Sequence, residues 1–234
     1  MLYAYLTLAP FQACTLRLSG LTVTRGPEKA FNAYTDNEMY QPKGTGMSVI
    51  AGKASTLSET LFSQVGYYRS KVFVETLGWD LQTRNGEELD QFDRPDTLYV
   101  VSQDDDGQVN GCARLLPTDS PYLLGDVFPE LMNGLPIPCS AEVWELSRFA
   151  AVDFNKRTSS ALAQFSSEIA INLLRESIAF AVANGAKRLI TVSPIGIERL
   201  LRRAGFHCHR AGPPTIIDGH PIFACWIEVE PRAA

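Results

Sequence analysis

The chain predicts a mixed α/β (α+β) sheet flanked by helices and folded as a single domain. Hairpin signals concentrate in residues 97–116, helical and strand patterns alternate after residue 142, and no linker-like stretch divides the 234 residues. Apolar residues make up 45% of the chain, enough for one sizeable core.

Residues 1–46 hold turn-rich pieces such as Arg25-Gly26-Pro27 and no sustained period. They are expected to be a poorly ordered extension, or to precede a true start at Met47, leaving 47–234 as the domain. Thr56 and Glu59 have capping-box spacing, and Leu61, Val65, Tyr68, Val72 and Phe73 recur at helical intervals. A helix is therefore predicted there, ending at Gly78, with Arg69 and Phe73 on one face. Residues 97–101 suit a strand, 104–107 a turn and 109–116 the hairpin partner. The stretch 117–138 is loop-rich with one short piece around Phe128, and 142–150 reads as a strand. Residues 160–183 form a long amphipathic pattern closed by Asn184-Gly185. Then come a strand over 187–192, a helix over 195–204 ending at Gly205, and strands over 206–210 and 222–229.

The net charge of -5 counts against general nucleic-acid binding, which needs a basic surface. Cys14, Cys112, Cys139, Cys208 and Cys225 are odd in number and scattered, with no Cys-x-x-Cys. They read as reduced thiols of a cytoplasmic protein, with no metal site. Cys112 lies near a charged cluster, which leaves a reactive thiol open, although no base neighbours it in sequence. No apolar stretch approaches the roughly 20 residues that span a bilayer. Met1–Pro10 lacks the basic leader of a signal peptide.

The chemistry concentrates between Asp90 and Arg148, in Asp90-Gln91-Phe92-Asp93, Gly111-Cys112-Ala113-Arg114-Leu115 and Trp144-Glu145-Leu146-Ser147-Arg148-Phe149. Ionic groups inside apolar runs are costly to bury unless they meet each other or a charged ligand, so one site for a zwitterionic substrate is expected. In a regular strand Glu145 and Arg148 point to opposite faces. A bulge near Leu146 or Ser147 is expected to turn both inward. Taken singly, Asp90 and Asp93 read equally as a loop anchor around Phe92, and Arg114 with Glu145 as a buried architectural pair.

These motifs, with Tyr68-Arg69-Ser70-Lys71-Val72-Phe73, Leu77-Gly78-Trp79 and Phe128, resemble in order and spacing the acyl-homoserine lactone synthases, the LuxI-type autoinducer synthases. The resemblance runs from about Met47 to the C-terminus, and the leader before it departs from the family pattern. It implies a splayed sheet like that of the Gcn5-related N-acetyltransferases. The implied reaction joins an acyl group from acyl-acyl carrier protein to S-adenosylmethionine, closes a lactone and releases methylthioadenosine. No cofactor is implied, since S-adenosylmethionine is a substrate. Arg69, Phe73, Trp79, Asp90, Asp93, Arg114 and Phe128 then bind substrate. Glu145 is expected to take the amine proton, and Arg148 or Arg114 to lend charge to the oxyanion.

The 160–183 helix and the 187–192 strand are expected to line an acyl tunnel, with Thr191 or Ser193 at the third carbon. Arg199, Arg202 and Arg203, helped by Lys187, Arg188 and Arg210, are expected to meet an acidic carrier protein; the same residues also read as a solvated helix face. Two rivals remain. A coenzyme A-dependent N-acetyltransferase of the same fold normally carries a Gly-rich pyrophosphate loop, and residues 151–160 hold no glycine. A silent binding module has no use for Glu145.

Overall fold

The computed structural model describes residues 39–40, 48–155, 168–195, 197–217 and 219–229. The strands of the first half are β1 (Met39–Tyr40), β2 (Ser48–Lys53), β3 (Thr83–Arg84), β4 (Glu87–Glu88), β5 (Leu98–Gln103) and β6 (Val109–Pro117). Those of the second half are β7 (Val143–Ala150), β8 (Arg188–Pro194), β9 (Cys208–Arg210), β10 (Thr215–Ile217) and β11 (His220–Glu228). The α-helices are α1 (Glu59–Arg69), α2 (Leu123–Val127), α3 (Glu168–Ala183) and α4 (Ile197–Arg203). No described helix is long and apolar enough to cross a membrane.

Nine strands form one sheet in the order β1-β2-β5-β6-β7-β8-β11-β10, with β9 also on β11. Every pairing in it is antiparallel except β7 with β8. That parallel pair holds only where Val143, Trp144 and Glu145 meet Arg188, Leu189 and Ile190. Beyond Glu145 the two strands part, so the expected mixed, splayed sheet is found with its gap opening beside the candidate base.

Strand alternation sorts the sheet into two faces. On one, Leu98, Val100, Leu115, Leu146 and Leu189 pack under Leu173 and Leu174 of α3. The other carries two groups. Leu61, Val65 and Tyr68 of α1 lie against Tyr99, Val101 and Cys112, while Leu124, Leu131 and Met132 cover Leu116, Ile190 and Ala224. Arg114 stands on β6 between Cys112 and Leu116, so it enters this second face at the junction of its two apolar groups.

Local chemistry explains α1. Its N-cap is Ser58, whose hydroxyl accepts from Leu61 N at 3.2 Å, rather than Thr56, whose hydroxyl instead donates to the Lys53 carbonyl at 2.9 Å. The Tyr68 hydroxyl accepts from Val152 N at 2.7 Å and donates to the Asn110 carbonyl at 3.0 Å, fastening the helix to β6 and the end of β7. After Arg69 the chain widens into a π-helix over Ser70–Thr76, a form concentrated at functional sites, and Gly78 follows at φ 69°.

The short pieces around Phe128 are α2 and a 3-10 turn, Pro129–Met132. Four strand features were not expected: β1, β2, β10 and the β3–β4 hairpin. That hairpin turns on Asn85 (φ 54°) and Gly86 (φ 85°), the pair that a two-residue turn with two positive φ angles selects. The expectation for residues 1–46 falls outside the described residues except at Met39–Tyr40, which extends the sheet along β2. The predicted start of the long helix, 160–167, also lies outside them.

Candidate active site

Three guanidiniums and three carboxylates alternate in a closed ring on the second face of the sheet. Arg69 donates from Nε to Glu88 at 2.6 Å and from Nη1 to Asp93 at 2.8 Å. Glu88 also accepts from Arg148 Nη2 at 3.0 Å, and Arg148 Nη2 reaches Asp90 at 2.9 Å. Arg114 Nη1 closes the circuit, 2.6 Å from Asp90 and 2.8 Å from Asp93. Each ion therefore touches two opposite charges, which offsets the desolvation that an isolated pair leaves uncompensated.

The ring is sealed at one end. Side chains of Arg69, Arg114, Glu88 and Asp93 are at most 2% exposed, whereas Arg148 is 7% and Asp90 16% exposed. The Asp90–Arg148 edge is thus the accessible one. Beside it, the Phe73 and Trp79 rings stack with centroids 5.0 Å apart, and the Arg148 guanidinium lies 5.7 Å from Phe73. Asp93 and Asp90 also anchor their own loop, since Asp93 accepts from Asp90 N and Asp90 from Phe92 N. The loop-anchor reading therefore holds, and both carboxylates also belong to the ring.

Arg148 reaches the ring through a bulge. Arg114 pairs with Ser147 and Cys112 with Ala150, so β7 spends three steps where β6 spends two, and Arg148 takes φ 50°. Phe149 consequently packs on the α3 face while Arg148 joins Glu145 and Ser147 on the other. The expected bulge is therefore present beside Ser147, with Arg148 as the residue that takes the left-handed conformation.

Glu145 is fully buried and accepts from Leu123 N at 3.1 Å and Leu124 N at 2.7 Å, at the positive end of α2. Burial raises its pKa, although these amides and the charge of Arg114 act in the opposite direction. The alternative reading of Arg114 and Glu145 as a buried ion pair is not met: Arg114 Nη1 serves Asp90 and Asp93, and Ser147 accepts from its Nε at 3.1 Å. Arg114 Nη2 is the one buried side-chain polar atom without a hydrogen-bond partner among the described residues.

Phe128 sits between α2 and the 3-10 turn, half-buried against the Leu124 and Leu131 group rather than in the ring. Thr191 and Ser193 are buried with hydroxyls 3.5 Å apart. They share the α3 face with Leu189, opposite Glu145, next to the gap between β7 and β8. On α4, Arg199 is exposed. Arg202 donates to Glu198 at 2.9 Å, Arg210 to the same carboxylate at 2.6 Å, and Arg188 pairs with Glu228. Lys187 meets Glu142, and the Arg203 side chain lies outside the described residues. Much of the proposed basic patch is thus neutralised within the protein.

Sequence reasoning missed Glu88, Tyr99 and Ser147. Glu88 stands two residues before Asp90, and the Asn85-Gly86 turn was the signal for it. Tyr99 lies opposite Arg114 and donates to Asp93; burial first, then the Asp93 charge, keeps its phenol protonated. Cys112 is buried, and burial pushes its thiol up to about 12, so it is no nucleophile at neutral pH. Cys208 and Cys225 are buried and Cys139 exposed, while Cys14 lies outside the described residues.

The ring links stability to acid. Burial alone raises Glu88 and Asp93, but Arg148 with Arg69, and Arg69 with Arg114, outweigh it and hold both carboxyls below their usual range. The stabilisation is complete above the unfolded-state value near ~4 and is lost as pH falls through the depressed folded values. Between pH 6 and pH 3 the wild-type melting temperature should fall by roughly 5 °C more than that of Asp93→Asn, which has already lost one such carboxylate. Parallel pH profiles for the two proteins contradict this.

The sheet has a fold shared with other proteins of known structure. An acyl-CoA N-acyltransferase from Pseudomonas aeruginosa shares the fold over 78% of this chain and 99% of its own, with TM-score 0.51 and 14% identity. A sequence model described as autoinducer synthase matches residues 53–233, and the chain belongs to that family, the acyl-homoserine-lactone synthases. An acyl-homoserine-lactone synthase from Acinetobacter nosocomialis is 59% identical over 183 residues, 78% of this chain and all of that protein. TofI, solved in a ternary complex with an inhibitor and MTA, matches at 42% identity and TM-score 0.67 over 78% of this chain and 91% of its own. BjaI, described as CoA-dependent and solved with SAM and isopentyl-CoA, matches at 26% identity and TM-score 0.67 over 77% of this chain and 82% of its own.

Proposed function

We propose that the enzyme acylates S-adenosylmethionine from acyl-acyl carrier protein and releases an N-acyl-L-homoserine lactone and methylthioadenosine. The observation that carries the reading is the neutral charge ring with Glu145 beside it, at the point where β7 and β8 part. With Glu145 ionised, three guanidiniums face four carboxylates, one negative charge in excess. S-adenosylmethionine, with ammonium, sulfonium and carboxylate, carries one net positive charge and complements it. Asp90 suits the ammonium, Arg148 the carboxylate, and the Phe73–Trp79 stack the sulfonium.

Glu145 takes the amine proton, directly or through one water, and its raised proton affinity suits that task. The freed amine attacks the thioester carbon, with the guanidinium charge of Arg148 or Arg114 stabilising the oxyanion, and the carrier thiol leaves. The acyl chain passes through the gap to the α3 face, where Thr191 and Ser193 meet its third carbon. The substrate carboxylate then attacks the carbon beside the sulfonium and methylthioadenosine departs, a closure that requires folding of the substrate more than acid or base help.

The carrier-protein donor is favoured over coenzyme A by the sequence of residues 151–160, which holds none of the glycines that let backbone amides approach a pyrophosphate closely. Arg199, Arg202 and Arg203 of α4 remain the surface assigned to the carrier. The test is methylthioadenosine release from S-adenosylmethionine with each donor in turn. The expected kcat/KM is about 100-fold higher with acyl-carrier protein than with the matching acyl-coenzyme A, and Arg199→Glu raises KM for the carrier alone. Equal use of coenzyme A overturns the donor assignment; no release with either donor overturns the function.

A further inference from the structure

We infer that Glu88, a residue to which no role in this chemistry has been assigned above, is a positioning residue that holds Arg148 in its left-handed bulge and thereby aims it at the reacting atoms. The inference rests on the role proposed for Arg148. A positive φ is unfavourable for a side chain of arginine's size and persists only where the surroundings over-determine it. Here Arg148, at φ 50°, has no glycine to ease the turn. Glu88 receives its Nε at 3.2 Å through either carboxylate oxygen and its Nη2 at 3.0 Å, a forked contact that fixes the plane of the guanidinium. Asp90 supplies one further bond, from the exposed edge.

Glu88 is itself held from two directions. Arg69 Nε donates to it at 2.6 Å, and the hairpin that carries it is clamped on α1. Gly66 makes that clamp possible, since a Cβ there would stand 2.9 Å from Glu87 Cβ. Gly86, at φ 85°, turns the hairpin under Tyr67, whose ring would lie 3.0 Å from an added Cβ. The Asn85-Gly86 turn, the Gly66 contact and the Arg148 bulge thus form one mechanical chain ending at the accessible edge of the ring.

A double-mutant cycle on methylthioadenosine release tests this. Glu88→Gln keeps volume and removes the charge; alone it should lower kcat about 30-fold, and in an Arg148→Met background it should change kcat less than about threefold. The same loss in both backgrounds, or none in the wild type, overturns the inference. If Glu88→Gln does not fold, Gly86→Ala, which loosens the hairpin without touching the ring, is read by the same two outcomes. If the wild type releases no methylthioadenosine, it is the functional reading that fails. The inference is then decided by the crystal structure of Glu88→Gln, in which Arg148 leaves the left-handed region if the inference holds and keeps φ near 50° if it does not.

Discussion

Replacing Glu145 with glutamine is expected to lower kcat roughly 100- to 1,000-fold, the usual scale for loss of a positioned general base. Both oxygens of Glu145 accept amides of the first turn of α2, and glutamine can serve only one of them well. That loss costs about 1 kcal/mol. It is partly offset, because burial already disfavours the ionised carboxylate. The melting temperature should therefore move by no more than roughly 5 °C while activity collapses. Steady-state methylthioadenosine release and a thermal melt on the same preparation give both numbers. A kcat within about threefold of wild type would leave Glu145 as a helix cap and nothing more.

The second large effect is on stability. Arg69 is fully buried and neutralises Glu88 and Asp93, so Arg69→Met leaves two buried carboxylates each with one partner fewer. Breaking a buried pair from one side typically costs about 3–5 kcal/mol. For a chain of this size that lowers the melting temperature by roughly 10 °C. The gap to wild type should narrow as the pH approaches 4, since protonating the stranded carboxylates removes their penalty while the wild type loses the stabilisation of its intact ring. A melting temperature unchanged by Arg69→Met at pH 7 contradicts the ring as a structural unit.

The helix ending at Arg69, the hairpin of β5 and β6 and the late alternation of helices and strands were legible because each has a clear apolar period. So was the gathering of Asp90, Asp93, Arg114 and Arg148, since ions placed in apolar runs must find one another, while Arg69 was placed with them only by the resemblance to the family. Glu88 was not, because Glu87-Glu88 beside a turn reads like an ordinary solvated pair, and only its hairpin partner shows that Glu88 turns inward. The bulge was foreseeable from the need to bring Glu145 and Arg148 together. Its place beside Ser147 was legible for the same reason, whereas the residue that turns left-handed was not, because no glycine marks it. The cations of α4 look free in a residue count, yet Glu198 sits four positions before Arg202, the spacing at which a helical pair forms. The face on which Thr191 and Ser193 lie follows from the register of Ile190 with Glu145, which only pairing reveals.

The central claim is that the ring, the aromatic stack and Glu145 surround a single sulfonium amino acid. A crystal structure with S-adenosylmethionine tests it most directly. The ligand is expected at the Asp90–Arg148 edge, its sulfonium against Phe73 or Trp79 and its amine within hydrogen-bond reach of Glu145, directly or through one water. A ligand seated on the α3 face, or with its amine turned away from Glu145, contradicts it.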